Sequence, residues 1–485
     1  MGAYSLLALL ALAHAGACTP SYFGIRVADA DTGRGIPLVE LETVNHIRHV
    51  TDSNGRIAFE EPGLMGQRVF FKIRAHGYEA PTDGFGATGT ALEVAAGGSA
   101  EIKLRRTNIA ERLYRITGQG IYRDTILLGE KSPLKEPALN GQVMGQDSVQ
   151  AAVYRGKVHW FWGDTERPSH PLGHFQTSGA VSDLPGSGGL DPSAGVDLRY
   201  FVDENGFSAK MVPLPEKGPV WIQGLLSVKD DAGRERLVAH YARMKDLGTR
   251  IEHGLAIFDD ASARFDRLIA LDASEWRHPT GHPVRVNREG REWFYFADPC
   301  CAVRAPASFA GITNAAAYEA FASGEDGART WRGDGKPIGP DEERALIKEG
   351  KIKAADAWLQ PRDTASGKAI RLHRGSVNWN AFRKKWVMIA CEQGGTSPLG
   401  EIWYAEADAA EGPWRRATKI VTHDRYTFYN PAHHPFFDQE GGRIIYFEGT
   451  YTHQFSGNPD ATPRYDYNQV MYRLDLADPR LKDGP

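Results

Sequence analysis

The sequence predicts an all-β protein: a five-bladed β-propeller preceded by a small β-sandwich, with a partly helical insertion. Two observations lead to this prediction. First, one pattern recurs five times, namely an apolar strand, a polar turn and an aromatic strand that ends on a polar or charged residue. Such repeats are typical of propellers, because a single blade leaves a sheet face that only neighbouring blades can bury. Second, 53 glycines and 28 prolines supply the frequent turns of a β-rich chain.

Residues 1–15 have the pattern of a signal peptide. Leu6 to Ala13 is an apolar run, and the Ala-His-Ala triplet that ends at Ala15 fits a cleavage site. The run is too short to span a bilayer. Cys18 lies in a loose match to a lipidation box, but the expected leucine is replaced by Ala15. Cleavage and export are therefore favoured over a lipid anchor, and we expect a secreted or periplasmic protein.

Residues 22–105 are expected to form the β-sandwich. Apolar residues alternate with other residues at Ile25, Val27, Val39 and Leu41, as half-buried strands require. The segment contains no cluster of catalytic residue types. We therefore expect it to act as a spacer or a docking module.

Residues 106–485 are expected to form the propeller. The first hairpin turns at Arg155-Gly156-Lys157, and its second strand ends at Asp164. The later second strands also end on charged residues, which are Arg243, Asp298, Glu392 and Glu448. An insertion at 308–367 has helix-like stretches, and we expect it to be a helical excursion that caps one rim.

Composition and charge argue against several classes of function. The net charge of −4 and the pI near 6.5 do not favour a nucleic-acid partner, because no basic tract is present to neutralise phosphates. The sequence has no polybasic or amphipathic membrane patch. It also lacks the G-x-S-x-G, Walker and H-E-x-x-H motifs. We expect a monomer with no nucleic-acid partner and no membrane insertion.

Cysteine and histidine spacing bears on disulfides and metals. Four cysteines are too few for a disulfide framework. The adjacent Cys300 and Cys301 form either a strained vicinal disulfide or two free thiols. His433 and His434 are adjacent on a strand, so they point in opposite directions and do not suit one metal ion. No cofactor and no catalytic metal are therefore expected, while a structural calcium in the channel is left open.

Propeller geometry is expected to bring polar residues of all five blades together. First strands begin around the central channel and second strands run back to the same face. The residues expected to converge on this funnel are Asp147, Asp164, Arg243, Asp298, Glu392, His433 and Glu448. Clustered carboxylates suit glycoside cleavage, in which one acid protonates the leaving oxygen while the other attacks or activates water. Crowded like charges raise one pKa and keep that group protonated.

Three residues are expected to be catalytic, namely Asp147, Asp164 and Glu392. The residues expected to bind the sugar are Trp162, Arg243, Asp298, His433, Glu448 and Arg123. Structural alternatives are open for these positions. Aspartate after glycine is a common turn former, and strand tryptophans such as Trp160 and Trp386 are more often blade packing than sugar platforms.

Several motifs resemble those of a known superfamily. QDSV…WFWGDT, GSVNWN, GEIWYAEAD…GPW and FYNPAHHPFF…YFEGTY, within about 115–476, are similar to the five-bladed propeller glycoside hydrolases of the arabinanase, β-xylosidase and fructosidase superfamily. The families that include endo-D-arabinofuranases are closer still. Their catalytic aspartate pair in blade one matches Asp147 and Asp164, whereas the wider superfamily takes its acid from a later glutamate, for which Glu392 is the best match. The segment FGIRVADADTGRGIPLVELET resembles carboxypeptidase-regulatory or transthyretin-like accessory domains.

The resulting hypothesis is a secreted glycoside hydrolase that cleaves a polysaccharide or oligosaccharide, with furanosides among the candidates. Two rival functions remain. A non-catalytic glycan-binding propeller needs the pocket but not two ionisable carboxylates. A polysaccharide lyase needs a base such as His433 and a charge-neutralising residue such as Arg243 near a uronate.

Overall fold

The computed structural model describes residues 22–174, 176–277, 281–323 and 329–481. The predicted signal peptide (1–15) and Cys18 lie outside the described residues. Strands dominate, and the longest α-helix in the described ranges has nine residues. The all-β prediction is therefore confirmed. Within the same ranges, no helix has the length and apolar character needed to cross a membrane.

The N-terminal part contains two four-stranded sheets. Its strands are β1 (Phe23–Asp29), β2 (Val39–Thr43), β3 (Arg48–Val50), β4 (Arg56–Phe59), β5 (Arg68–Ala75), β6 (Tyr78–Glu79), β7 (Gly89–Glu93) and β8 (Ser99–Arg106). The strand orders are β4-β1-β8-β6 and β3-β2-β5-β7. Alternate residues of both sheets, among them Ile25, Leu41 and Phe71, form one buried apolar core.

A short connection leads from these sheets to the larger part of the chain. It contains β9 (Glu111–Arg115) and α1 (Arg123–Leu127). Arg112 on β9 is buried and donates hydrogen bonds to the backbone carbonyls of Pro37 and His76. These bonds satisfy a guanidinium group far from water and join the N-terminal sheets to the rest of the protein.

The described residues of the larger part form one small sheet and five large ones. The small sheet consists of β10 (Gly145–Gln146), β13 (Thr165–Arg167) and β14 (His170–His174). The first large sheet contains β11 (Gln150–Tyr154), β12 (Lys157–Trp162), β15 (Ser178–Asp183) and β16 (Arg199–Tyr200). The second contains β17 (Val220–Lys229), β18 (Glu235–Met244), β19 (Arg250–Asp259) and β20 (Arg264–Leu271).

The remaining three large sheets follow in chain order. The third contains β21 (His282–Arg288), β22 (Arg291–Ala297), β23 (Cys301–Pro306), β24 (Glu319–Ser323) and β25 (Arg329–Arg332). The fourth contains β26 (Arg362–Asp363), β27 (Leu372–Asn380), β28 (Lys385–Glu392), β29 (Ile402–Ala407) and β30 (Arg416–Val421). The fifth contains β31 (Thr427–His433), β32 (Ile444–Thr452) and β33 (Asn468–Asp475), and β9 pairs with β33 at its outer edge.

Consecutive large sheets pack against each other through buried apolar clusters. Pairs of residues that share a cluster are, in sheet order, Phe161–Ile222, Leu226–Phe294, Trp293–Val377, Ile389–Phe447 and, between the fifth sheet and the first, Tyr446–Trp160. The first strands also contact one another, β11 with β17, β17 with β21, β21 with β27 and β27 with β31. The five sheets therefore follow one another in a closed circle of contacts.

The insertion at 308–367 differs from the expected helical cap. It contains α2 (Phe309–Thr313) and α3 (Pro340–Lys348), but β24 and β25 lie between them and extend the third sheet. Alanine-rich sequence favours helix by propensity, yet Phe321 packs on Trp331 across the strand pair and on Trp358 in the segment that follows α3. Tertiary packing thus decides the local structure. Short 3-10 helices lie at Ala315–Ala317, Ala354–Asp356, Pro435–Phe437, Glu440–Gly442 and Pro479–Leu481.

The two adjacent cysteines at the start of β23 are free thiols and not a vicinal disulfide. Cys300 and Cys301 are both buried, and burial raises the pKa of each thiol. Neither thiol is therefore a nucleophile at neutral pH.

Candidate active site

A cavity of about 600 Å³ lies where the first strands of all five large sheets begin. This volume falls in the range of ligand pockets, about 300–1,000 Å³. The strand starts that line it are represented by Gln150 of β11, Gln223 of β17, His282 of β21, Arg374 of β27 and Tyr429 of β31. Three acids that the sequence assigned to one funnel also line it, namely Asp147, Asp164 and Asp298.

Asp147 lies between β10 and β11 and accepts several hydrogen bonds. Its Oδ1 accepts from the backbone N–H of Asp164 at 2.9 Å. Its Oδ2 accepts from the hydroxyl groups of Tyr429 at 2.7 Å and Ser148 at 2.9 Å. Burial raises the pKa of Asp147 above its ordinary value, while these donors oppose the increase because they stabilise the carboxylate.

Asp164 lies two residues after the end of β12 and is only 8% exposed. Its Oδ1 accepts one hydrogen bond, from Trp221 Nε1 at 2.8 Å. Burial and the negative charge of Asp147 raise the pKa of Asp164 to about 7, and the Trp221 bond opposes this increase. The two neighbouring carboxyl groups therefore have different environments: several hydrogen-bond donors surround Asp147, whereas one donor bonds to Asp164.

Gly163 explains why glycine precedes the second aspartate. A Cβ atom at this position would lie 2.4 Å from Asp147 Oδ1, closer than atoms approach without displacement. The Gly163 backbone N–H also donates to the carbonyl of Asp147 at 2.7 Å. The glycine thus lets the two chain segments that carry the aspartates come into direct contact.

A second set of bonds joins the fifth sheet to Asp147. The side-chain amide of Asn430 donates to Ser148 Oγ at 2.6 Å, and Ser148 Oγ donates onward to Asp147. The N–H of Ser148 donates to Thr450 Oγ1 at 3.0 Å. Ser148 and Asn430 both have positive φ, 59° and 50°, a conformation that polar side chains with local bonds tolerate and that concentrates at functional sites. The sequence prediction missed Ser148, Tyr429 and Asn430.

Several polar groups of the cavity lack a partner in the protein. Among the described residues, Arg374 is the one lysine or arginine of the lining, and it makes no hydrogen bond or ion pair there. Burial lowers the pKa of His282 to about 4 and also lowers that of His373. Buried atoms without a partner are Gln150 Oε1, Gln223 Oε1, His373 Nδ1 and Asn430 Oδ1. Arg374 is therefore available to a polar ligand, while the four buried atoms lie beneath the cavity surface.

The structure does not bring the two predicted glutamates into the cavity lining. Glu392 ends β28, but its carboxylate accepts from Trp403 Nε1 at 2.8 Å on the neighbouring strand β29. Glu448 lies in the middle of β32, fully buried, and its Oε1 is 2.7 Å from His434 Nε2. Glu392 lies opposite Leu372, the first residue of β27, but its carboxylate is bonded to Trp403. Glu448 lies opposite Ala432, near the end of β31.

The other predicted sugar-binding residues are placed elsewhere as well. Trp162 is buried and stacks on Trp160 in the core between the fifth and first sheets. Arg243 pairs with Glu252 on β19. His433 Nε2 is 2.8 Å from Asp438 Oδ1. Arg123 lines a separate cavity beside the N-terminal sheets.

The described residues offer no group of three or more His, Cys, Asp or Glu side chains placed to hold a metal ion. The lining of the cavity presents carboxylates, aromatic residues and polar side chains. Such an arrangement can transfer a proton and hold a polyhydroxylated ligand.

Comparison with known proteins gives low similarities. No protein-family model and no curated protein matches the chain. Similar solved structures include the α-L-arabinanase of Penicillium chrysogenum complexed with arabinobiose (12% identity, TM-score 0.36, 76% of this chain and 99% of that chain). Others are the GH43_1 enzyme of Xanthomonas citri with xylose (12%, 0.35, 70% and 88%) and the exo-β-1,3-galactanase of Phanerochaete chrysosporium with β-1,3-galactotriose (9%, 0.37, 69% and 61%). With TM-scores this low, these likenesses decide neither fold nor activity.

Proposed function

We propose that the chain is a glycoside hydrolase whose active site is the cavity lined by Asp147 and Asp164. The main support for this proposal is the pair of aspartates. Two carboxyl groups face one cavity, contact each other through a backbone N–H and have unequal hydrogen-bond sets. Environments that separate the pKa values of two carboxyl groups assign one as acid and the other as base or nucleophile.

Asp164 is the proposed general acid. Its pKa of about 7 keeps a large fraction of the side chain protonated at neutral pH. It lines the cavity, so its proton can pass to the glycosidic oxygen as the bond to the anomeric carbon breaks. A buried carboxylic acid beside a charged carboxylate is the expected setting for this role.

Asp147 is the proposed base or nucleophile. Hydrogen bonds from Tyr429, Ser148 and the Asp164 N–H stabilise its ionised form and fix its orientation. The ionised group either removes a proton from an attacking water or attacks the anomeric carbon itself. The distance between reacting carboxyl groups selects between these routes, and both use the same division of roles.

The proposed architecture is a five-bladed propeller (106–485) that follows a β-sandwich (22–105). The circle of contacts among the five large sheets supports the propeller. The shared core of the two N-terminal sheets supports the sandwich. Export from the cytoplasm, proposed from residues 1–15, would give the enzyme access to polysaccharide substrates.

The test is a screen of the purified full chain against a polysaccharide panel with product analysis. We expect saturated products with new reducing ends, and loss of this activity in both Asp147→Asn and Asp164→Asn variants. Unsaturated products would indicate a lyase instead. Binding without cleavage would indicate a glycan-binding protein. Full activity in both variants would refute the proposed roles.

A further inference from the structure

Phe455 stands out among the residues that line the cavity. Its side chain is 68% exposed, although it is a large apolar group. Its backbone φ is +61°, a left-handed conformation that bulky residues rarely adopt. Leu247 is the other exposed apolar residue of the described lining, at 78%.

The protein gains little from the ring of Phe455. The turn that carries it is held by other groups: Thr427 Oγ1 donates to the carbonyl of Gln454 at 2.6 Å, and the N–H of His453 donates to Asp466 Oδ1 at 2.6 Å. An exposed aromatic side chain on a strained backbone therefore has a cost without a matching benefit to folding. Backbone strain of this kind concentrates at active sites and ligand-binding sites.

The position of the ring relates it to the proposed catalytic pair. Phe455 contacts Tyr429 edge to face, with ring centroids 6.0 Å apart, and the Tyr429 hydroxyl donates to Asp147. Phe455 thus contacts the side chain that bonds to Asp147 and not the carboxylate itself. One sugar ring at the carboxylates would leave Phe455 uncovered, so a second or third ring along a chain is the group that would reach it.

We propose that Phe455 is a stacking platform for a sugar ring outside the cleaved linkage, so that the substrate is a chain extending through the cavity mouth. The apolar CH face of a sugar ring covers an aromatic face well, and such contact favours flat, rigid side chains. This inference rests on the proposed function, because it places the platform relative to Asp147 and Asp164. The occupant is an oligosaccharide or polysaccharide chain, and small glycosides would not contact Phe455.

The test compares the full-length wild type with Phe455→Gly, Phe455→Trp and Phe85→Ala variants. Phe85 is a matched control, because it is a fully exposed phenylalanine in the N-terminal part. Substrates are a length series of oligosaccharides from the polysaccharide that is cleaved in the panel. We expect Phe455→Gly to raise KM about tenfold for the longer members and less than twofold for the disaccharide. Phe455→Trp should retain the wild-type KM.

Stability separates a binding role from a structural one. Glycine adopts φ of +61° without strain, so Phe455→Gly should keep or raise the Tm. A large fall in Tm would overturn the proposal. So would a KM that is the same in wild type and variant at every chain length. Affinity electrophoresis in gels containing the panel polysaccharides provides a readout that needs no hydrolysis. Weaker retardation of Phe455→Gly supports the platform, and equal retardation contradicts it.

The catalytic role of Asp164 and the stacking role of Phe455 can be refuted independently. If Asp164→Asn kept full hydrolysis while Phe455→Gly showed the length-dependent loss, the proposed acid would be refuted and the platform would stand. If Asp164→Asn abolished hydrolysis while Phe455→Gly matched the wild type at every length, the platform alone would be refuted.

Discussion

The backbone N–H of Asp164 donates a 2.9 Å hydrogen bond to the carboxylate of Asp147. Because the donor is a main-chain group, this contact fixes the two residues relative to each other and leaves the Asp164 side chain free for other partners. It also holds the negative charge of Asp147 close to the Asp164 carboxyl group, and this charge contributes to a pKa of about 7. This contact therefore fixes the geometry of the pair, and the charge of Asp147 adds to the effect of burial on the pKa of Asp164.

The Trp221 side chain affects the pKa of Asp164, the proposed acid. Its Nε1–H bonds to the Asp164 carboxylate and so lowers the pKa of Asp164. A general acid acts only when protonated, so activity should fall as pH rises through about 7. Trp221→Phe removes the stabilising bond and should move this fall to higher pH in a kcat/KM profile. Trp379→Phe, half-exposed and outside the lining, is the control. A fall at unchanged or lower pH would contradict the assignment.

The Tyr429 hydroxyl lowers the pKa of Asp147, as Trp221 lowers that of Asp164. Its hydrogen bond lowers the pKa of Asp147 against the effect of burial. Tyr429→Phe should therefore raise that pKa, and activity on the acidic side of the profile should be lost at higher pH than in wild type. Tyr154→Phe removes a hydroxyl bound to Asp260, outside the lining, and should leave the profile unchanged. The same profile in wild type and Tyr429→Phe would exclude Asp147 as the ionised group.

Gly163 should be sensitive even to the smallest substitution. In Gly163→Ala the new methyl group would meet Asp147 Oδ1 at 2.4 Å, so the carboxylate must move. Displacement of a reacting group by about 1 Å lowers rates by about 100-fold. We expect kcat to fall by about 10- to 100-fold with the fold retained in circular dichroism. Gly63→Ala, where the added carbon meets no atom within 4 Å, should retain full activity.

The buried Glu448 should affect stability in a pH-dependent way. Burial raises its pKa well above the ordinary value, so the folded state keeps a proton that the unfolded state has lost above about pH 4.3. The free energy of unfolding therefore falls as pH rises through this range. Glu448→Gln keeps a donor for His434 and removes this decline. In urea titrations the variant should gain stability relative to wild type between pH 5 and pH 8. A stability difference between variant and wild type that does not grow between pH 5 and pH 8 would contradict this account.

Local sequence signals predicted the first hairpin and the aspartate pair well. The turn at Arg155-Gly156-Lys157 is present, with positive φ at Arg155 and Gly156, as a tight hairpin requires. Asp147 and Asp164 flank that hairpin, so their proximity follows from antiparallel pairing of its two strands. Asp298 also follows the second strand of a hairpin, and it lines the same cavity.

The wider ring of acids was not predictable, because a strand's register decides which face each side chain takes. Strand β32 continues to Thr452, four residues beyond Glu448, so this residue lies inside the sheet. Glu392 does end its strand, but it faces Trp403 on β29. A shift of one residue moves a side chain to the opposite face of the sheet. Tyr429 and Asn430 were missed because their role depends on contacts between the fifth and first sheets.

In the proposed mechanism Asp164 supplies the proton to the leaving oxygen, so the rate should depend on how much the leaving group needs that proton. The measurement is kcat/KM of wild type, Asp164→Asn and Asp147→Asn on an oligosaccharide and on the dinitrophenyl glycoside of the same sugar. We expect Asp164→Asn to lose about 100- to 10,000-fold on the oligosaccharide but little on the dinitrophenyl glycoside, whose leaving group needs no proton. Asp147→Asn should lose activity on both substrates. An equal loss on both substrates for Asp164→Asn would contradict its role as the acid.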